Sequence, residues 1–247
     1  MKHTFILLSI ATLAFICGCE HNRSEKPARD THGTASRYPI VRHGKKYVTR
    51  QGTSAVTTDD QPTESADTST ADGALKQLLA DIAEGNSASA VTLADPDQLQ
   101  QNVVEVAALY NKLIKLVQEK AGSNTEFVDT FAIVACNIPT DISSYVATDA
   151  NNKWTLEGAR FFADEASSVQ VVASKDDSGE FTVKFENLDK LDDETRTKYT
   201  DNSADFIKAA NMMIEELVNT EDGGIEEGKC IQMFGENLKS AKEQRLG

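Results

Sequence analysis

Asp95-Pro96-Asp97-Gln98-Leu99-Gln100-Gln101-Asn102-Val103-Val104-Glu105-Val106-Ala107-Ala108-Leu109-Tyr110-Asn111-Lys112-Leu113-Ile114-Lys115-Leu116-Val117-Gln118-Glu119-Lys120-Ala121-Gly122 is the stretch that decides the fold. Leu99, Val103, Val106, Tyr110, Leu113 and Val117 recur at alternating spacings of four and three. That spacing puts them on one face of a long helix with a heptad-like seam. Asp95-Pro96 reads as its start, a capping carboxylate followed by proline in the first turn, and Gly122 as its stop. The repeat is too short for an independent coiled coil, so this is a bundle helix.

Helical patterning extends to both sides. Leu75, Leu78, Leu79 and Ile82 share a face over Ala74–Ala83. Thr125–Asn137 continues with Phe127, Phe131 and Val134 until Pro139 stops it, with a short helical turn expected around 141–146. Asn151-Asn152-Lys153 is a loop, after which Trp154 is expected to staple the start of a helix carrying Leu156, Phe161, Phe162 and Ala166. Residues 168–186 change period: Val169, Val171 and Ala173 alternate, Asp176-Asp177-Ser178-Gly179 turns, and Phe181, Val183 and Phe185 alternate again. That is a β-hairpin, and two strands alone must pack against the helices to be stable. A polar helical stretch over Asp192–Tyr199 precedes a helix capped by Ser203, with Phe206, Ala210, Met213, Ile214 and Leu217 facing inward. A last helix from about Ile225 carries Cys230, Ile231, Phe234, Leu238 and Ala241. The fold expected is mainly α: a bundle of about five helices with one inserted β-hairpin, spanning residues 73–247, preceded by a disordered tether.

The chain carries 39 acids against 25 Lys and Arg, a net charge of −14, unevenly spread. Residues 73–247 hold 16 bases and 31 acids, a net of −15. A domain of that charge is no general nucleic-acid binder, because a phosphate backbone requires a basic face. Residues 20–72 are rich in Ser, Thr, Asp, Gly, Pro and Arg and lack apolar periodicity. Such a composition cannot bury enough surface to offset chain ordering. As a coil it would span roughly 40 Å, and fully stretched ~175 Å. Within it, Arg37, Arg42, Lys45, Lys46 and Arg50 interleave with Tyr38 and Tyr47. This basic stretch is the candidate contact for an anionic partner, such as a glycosaminoglycan, an acidic lipid or an acidic host-protein surface; a solvated linker is the plainer reading.

The N-terminus explains what the tether is tied to. Met1-Lys2-His3 is a short basic start, and Thr4–Ile16 is an apolar run well short of the ~20 residues that cross a bilayer. The run ends in Ile16-Cys17-Gly18-Cys19, which resembles the lipobox of bacterial lipoproteins. The resemblance implies that residues 1–18 are a signal peptide, that Cys19 is acylated (palmitate-type chains), and that residues 19–72 are a lipidated tether. Two or more acyl chains give stable membrane attachment where one does not.

Four cysteines are present, and export would consume two, leaving Cys136 and Cys230. In an exported protein two such cysteines are expected to form a disulfide, closing a loop of about 94 residues, which the chain-entropy model values at ~4–5 kcal/mol. Buried free thiols are the alternative.

His3, His21, His32 and His43 all precede residue 73, so the domain has no histidine for triad chemistry or metal ligation. No phosphate loop or EF-hand spacing is found, and neither a cofactor nor a metal is expected. Carboxylates are plentiful, which keeps a carboxylate-pair hydrolase as a remote alternative. The arrangement of lipobox, tether and compact helical domain resembles the small surface lipoproteins of spirochaetes, of borrelial type, several families of which bind host matrix or complement proteins or form an antigenic coat. The chain departs from them in favouring Ala, Asp and Thr over Lys, Asn and Ile. The expected role is a non-enzymatic binding module or surface antigen, held at the outer membrane and displayed on the cell surface. A periplasm-facing protein with a structural or assembly role is the alternative.

Overall fold

The computed structural model describes residues 66–148, 150–162, 164–166 and 168–247, the backbone alone for 164–166. Residues 1–18, expected to be a signal peptide, Cys19 and the basic stretch Arg37–Arg50 lie outside the described residues.

The described part is a helical bundle joined to antiparallel sheet. Its helices are α1 (Ala71–Glu84), α2 (Ser87–Leu93), α3 (Gln98–Ala121), α4 (Thr125–Phe131), α5 (Glu186–Asp189), α6 (Asp193–Val218) and α7 (Glu227–Leu246). Between α4 and α5 run β1 (Cys136–Asn137), β2 (Tyr145–Ala147), β3 (Lys153–Leu156), β4 (Ala159–Phe161), β5 (Asp164–Ala166), β6 (Val169–Lys175) and β7 (Phe181–Phe185). The order β2-β3-β6-β7 makes one sheet and β1-β4-β5 a second, small one. α3 packs on α6, α6 on α7, and α1 lies against β6 and β7.

α3 follows the seam that its sequence dictates, with Leu99, Val103, Val106, Tyr110, Leu113 and Val117 all buried. Its cap differs from expectation. Asp97, not Asp95, accepts the Leu99 and Gln100 amides at 3.0 and 3.2 Å. Asp95 instead accepts the Asp97 amide at 3.0 Å, shaping the turn before the helix. Gly122, at φ +74°, ends it in the left-handed conformation that glycine tolerates best. α1 starts at Ala71, where Thr70 caps the Gly73 amide.

The bundle closes on aromatic rings. Phe234 of α7 lies 4.7 Å from Phe131, 5.8 Å from Phe127 and 5.2 Å from Phe206 between ring centroids, mostly edge-on. These tilted contacts suit the ring quadrupoles and add to the area buried. Glu227, at the start of α7, accepts the Phe127 amide at 2.9 Å and so satisfies a donor in the first turn of α4.

Three expected elements change. Residues 154–166 are not a helix: Trp154 and Leu156 point inward from β3 while Lys153 and Thr155 alternate outward. The backbone is left-handed at Asn152, Gly158 and Phe162, at φ of 59°, 76° and 56°, which no continuous helix admits. Trp154 is therefore a strand core residue rather than a helix staple. The helix at Thr125 ends at Phe131, because Ala135 gives its carbonyl to the Phe162 amide at 3.0 Å and Cys136 pairs with Phe161 across β1 and β4. The short helical turn expected at 141–146 is present, as a single 3-10 turn, Ile142–Ser144, before β2. Finally, α6 is one continuous helix from Asp193, capped by Asp192 through the Thr195 amide at 2.8 Å. Ser203 sits inside it, giving its hydroxyl proton to the Thr200 carbonyl and accepting from Asn102 at 3.0 Å. The hairpin β6–β7 stands as expected, its turn held by Asp176, which accepts from the Ser178 and Glu180 amides at 2.9 and 3.0 Å.

Gln100 ties α3 to the sheet. Its side-chain oxygen accepts the Phe185 amide at 3.0 Å, and its side-chain nitrogen donates to the Phe185 carbonyl at 3.0 Å. Both bonds are buried. Gln100→Leu keeps the volume but strands both backbone groups, and is expected to lower the unfolding free energy by about 2–4 kcal/mol in urea titrations.

Candidate functional site

The two edges of the four-stranded sheet are the places where backbone groups must find partners outside the sheet. In each antiparallel ladder, backbone groups point alternately toward and away from a given neighbour. Thr148 donates to the Lys153 carbonyl and Ala173 to the Asn152 carbonyl, both at 3.0 Å, which fixes that alternation across β2, β3 and β6. On β7 it turns the backbone of Val183 and Phe185 away from β6.

The β7 edge is closed. The Asp95 amide donates to the Val183 carbonyl at 2.9 Å, Ala94 forms a parallel bridge to Val183, and Gln100 takes both groups of Phe185. Gln100 also donates to Asp189 at 3.2 Å, and Lys184 reaches the other carboxylate oxygen at 2.7 Å. Asp97 continues the cluster by pairing with Arg196, whose guanidinium also meets the Leu188 carbonyl. Partial burial works to raise the Asp189 carboxyl, but the bonds from Lys184 and Gln100 outweigh it and hold the group below the usual carboxylate range. Every member of this junction is spent on capping, pairing or closing the edge. Its chemistry is structural: Asp189 and Asp97 are paired with Lys184 and Arg196, and Ser203 faces Asn102 and a carbonyl rather than a base.

The β2 edge is different. The same alternation points the Ala147 amide and carbonyl, and the Tyr145 carbonyl, off the sheet; the Tyr145 amide turns back to the Ile142 carbonyl. Among the described residues no strand or bridge pairs with β2 on that side. Val146 is 63% exposed and Ile142, in the preceding turn, 38%. Nothing in the strand, Tyr145-Val146-Ala147, is charged.

Of the residues singled out from the sequence, Cys136 and Cys230 are described, and the expected disulfide is not formed: both are buried free thiols. Cys136 lies in β1 rather than on a helix, and Cys230 in the first turns of α7. Burial pushes both thiols up, Glu227 adding to the effect at Cys230, so neither ionises as a nucleophile would need to. Cys19, Arg37, Arg42, Lys45, Lys46 and Arg50 lie outside the described residues. Among the described residues, no group of three or more His, Cys, Asp or Glu is placed to hold a metal ion, and no helix is long and apolar enough to cross a membrane. The β2 edge escaped the sequence reading because three residues are too few to display a period, although the Asn151-Asn152 turn before Trp154 was a hairpin signal. Comparison of the chain with protein-family models, curated proteins and solved structures returns no match.

Two outcomes follow from this chemistry. A carboxyl whose folded pKa is depressed contributes stability that is present above its unfolded pKa of about 3.9 and is lost as pH falls through the folded value. Asp189→Asn is therefore expected to flatten the fall in urea midpoint between about pH 4 and pH 2 relative to the parent, and an unchanged slope would contradict the pairing. Peptide mapping after alkylation should find Cys136 and Cys230 unmodified in the native chain and both modified after denaturation without reductant; a disulfide would leave them unmodified until reduced.

Proposed function

We propose that this is a lipid-anchored protein of the bacterial outer membrane, displayed on the cell surface, whose acidic helical domain is a binding module for a host macromolecule or a surface antigen. The observation that carries the reading is Ile16-Cys17-Gly18-Cys19, placed directly after an apolar run and ahead of a long polar segment. Acylation at Cys19 supplies attachment without a transmembrane helix. The first helix of the domain begins at Ala71, so 51 residues separate it from Cys19. That length of chain spans at most ~170 Å, enough to lift a domain clear of its neighbours on a crowded surface.

The role is binding rather than catalysis, because every histidine of the chain precedes residue 44 and the thiols are buried. Within the tether, Arg37, Arg42, Lys45, Lys46 and Arg50 supply the contact for an anionic partner, an acidic protein surface or a glycosaminoglycan, while the domain, at −15, would be repelled by one. Partners of the two segments are thus of opposite charge.

Treatment of intact cells with a protease is expected to remove the domain, and Cys19→Ala is expected to abolish incorporation of labelled palmitate and release the protein from the membrane fraction. Full resistance on intact cells with sensitivity after lysis would place the domain in the periplasm and favour an envelope assembly role instead.

A further inference from the structure

The two edges of the four-stranded sheet are treated unequally, and the difference points to a binding surface. Unpaired strand edges recruit other strands, and proteins ordinarily blunt them with charge, proline, bulges or a covering element. β7 is covered by Ala94, Asp95 and the Gln100 amide. Among the described residues β2 has none of these devices: it carries no charge and no proline, turns the Ala147 amide and carbonyl outward, and leaves Val146 63% exposed beside them.

The charges around this edge select what can add to it. The register Tyr145↔Leu156 places Glu157 beyond the end of β3, level with the start of β2. Asp141 lies at the same end, exposed, capping the turn through the Ser143 amide at 2.9 Å. Hydrogen bonds from Ser143 keep that carboxyl below its usual range, so it stays ionised. At the other end of β2 the facing cation, Lys153, is already paired with Glu186 at 2.9 Å. The edge thus offers backbone groups, an apolar side chain and, at one end, two exposed acids, on a domain of net charge −15.

We propose that the β2 edge is a docking site for an extended segment of a partner protein, which adds as a strand beside Ala147, sets an apolar side chain against Val146 and carries Lys or Arg at the end that meets Asp141 and Glu157. This rests on the binding role proposed above and names its partner class. Main-chain bonds supply affinity in this mode, and the alternate side chains and flanking charges supply selectivity.

The test is amide hydrogen exchange over Tyr145–Thr148 in the full lipidated chain held in a non-ionic detergent. The probes are two end-capped peptides with the same core of three Thr-Val repeats, one flanked by lysines and one by glutamates. The lysine-flanked peptide is expected to slow exchange in this segment about tenfold and the glutamate-flanked peptide to leave it unchanged. Val146→Lys and Glu157→Lys, both at exposed positions, should each lose the protection while the thermal midpoint holds. Equal protection by both peptides, no protection by the lysine-flanked one at millimolar concentration, or protection that needs no peptide and rises with protein concentration would overturn the proposal, the last by giving the edge to a second copy of the chain. A domain found in the periplasm by the protease experiment would refute the surface reading without touching this exchange result, so the two failures are separable.

Discussion

A sheet edge cannot be buried against a helix bundle unless its backbone groups find partners. Phe185 is the last residue of β7, it is fully buried, and its amide and carbonyl point away from β6 into the bundle. A single side-chain amide, Gln100, supplies one acceptor and one donor in the geometry a neighbouring strand would have offered. The consequence reaches outward. α3 must present Gln100 in its first turn, which fixes where the helix starts and why Asp97 caps it; Asp97 in turn holds Arg196 of α6, and Asp189 holds both Gln100 and Lys184. Leaving either Phe185 group unpaired would cost its desolvation, comparable to a sizeable share of a domain's net stability.

The same constraint accounts for what could be read from the sequence and what could not. Helices α1, α3, α6 and α7 were legible because burial on one face imposes a 3.6-residue period, and hairpin β6–β7 because its inward face imposes a period of two. The strands of two to four residues were not legible. Leu156, Phe161 and Phe162 fit a helical face as well as two short strands and a turn, and only the left-handed backbone at Gly158 and Phe162, invisible in composition, separates the two. Phe162 in particular is a residue that sequence rules would never place at positive φ. Its buried ring, 5.0 Å from Tyr199 and nearly edge-on, supplies contacts that offset the strain. Ser203 shows the complementary failure: a residue type that favours caps sits mid-helix because Asn102 of α3 gives it a partner there.

The thiols follow from the core rather than from the compartment. Cysteine counting treats Cys136 and Cys230 as loose ends to be tied, but each is enclosed in apolar packing, at 1% and 0% exposure, where a thiol behaves as a small hydrophobe. The link expected of a disulfide between α7 and the elements after α4 is made instead by Phe234 against Phe127 and Phe131, and by Glu227 on the Phe127 amide. Those contacts require no oxidation, so the domain's closure does not depend on the redox state of the surroundings.

Charge then bears on the β2 edge. A surplus of acid on the domain discourages association of its copies through simple contact, which matters for a domain whose β2 edge no described strand pairs. Self-pairing through β2 would bring together two domains that each carry a net charge of −15. A cationic extended segment meets the same edge without that penalty. The acidity of the domain is therefore also what can leave such an edge tolerable, by restricting which strands are able to use it.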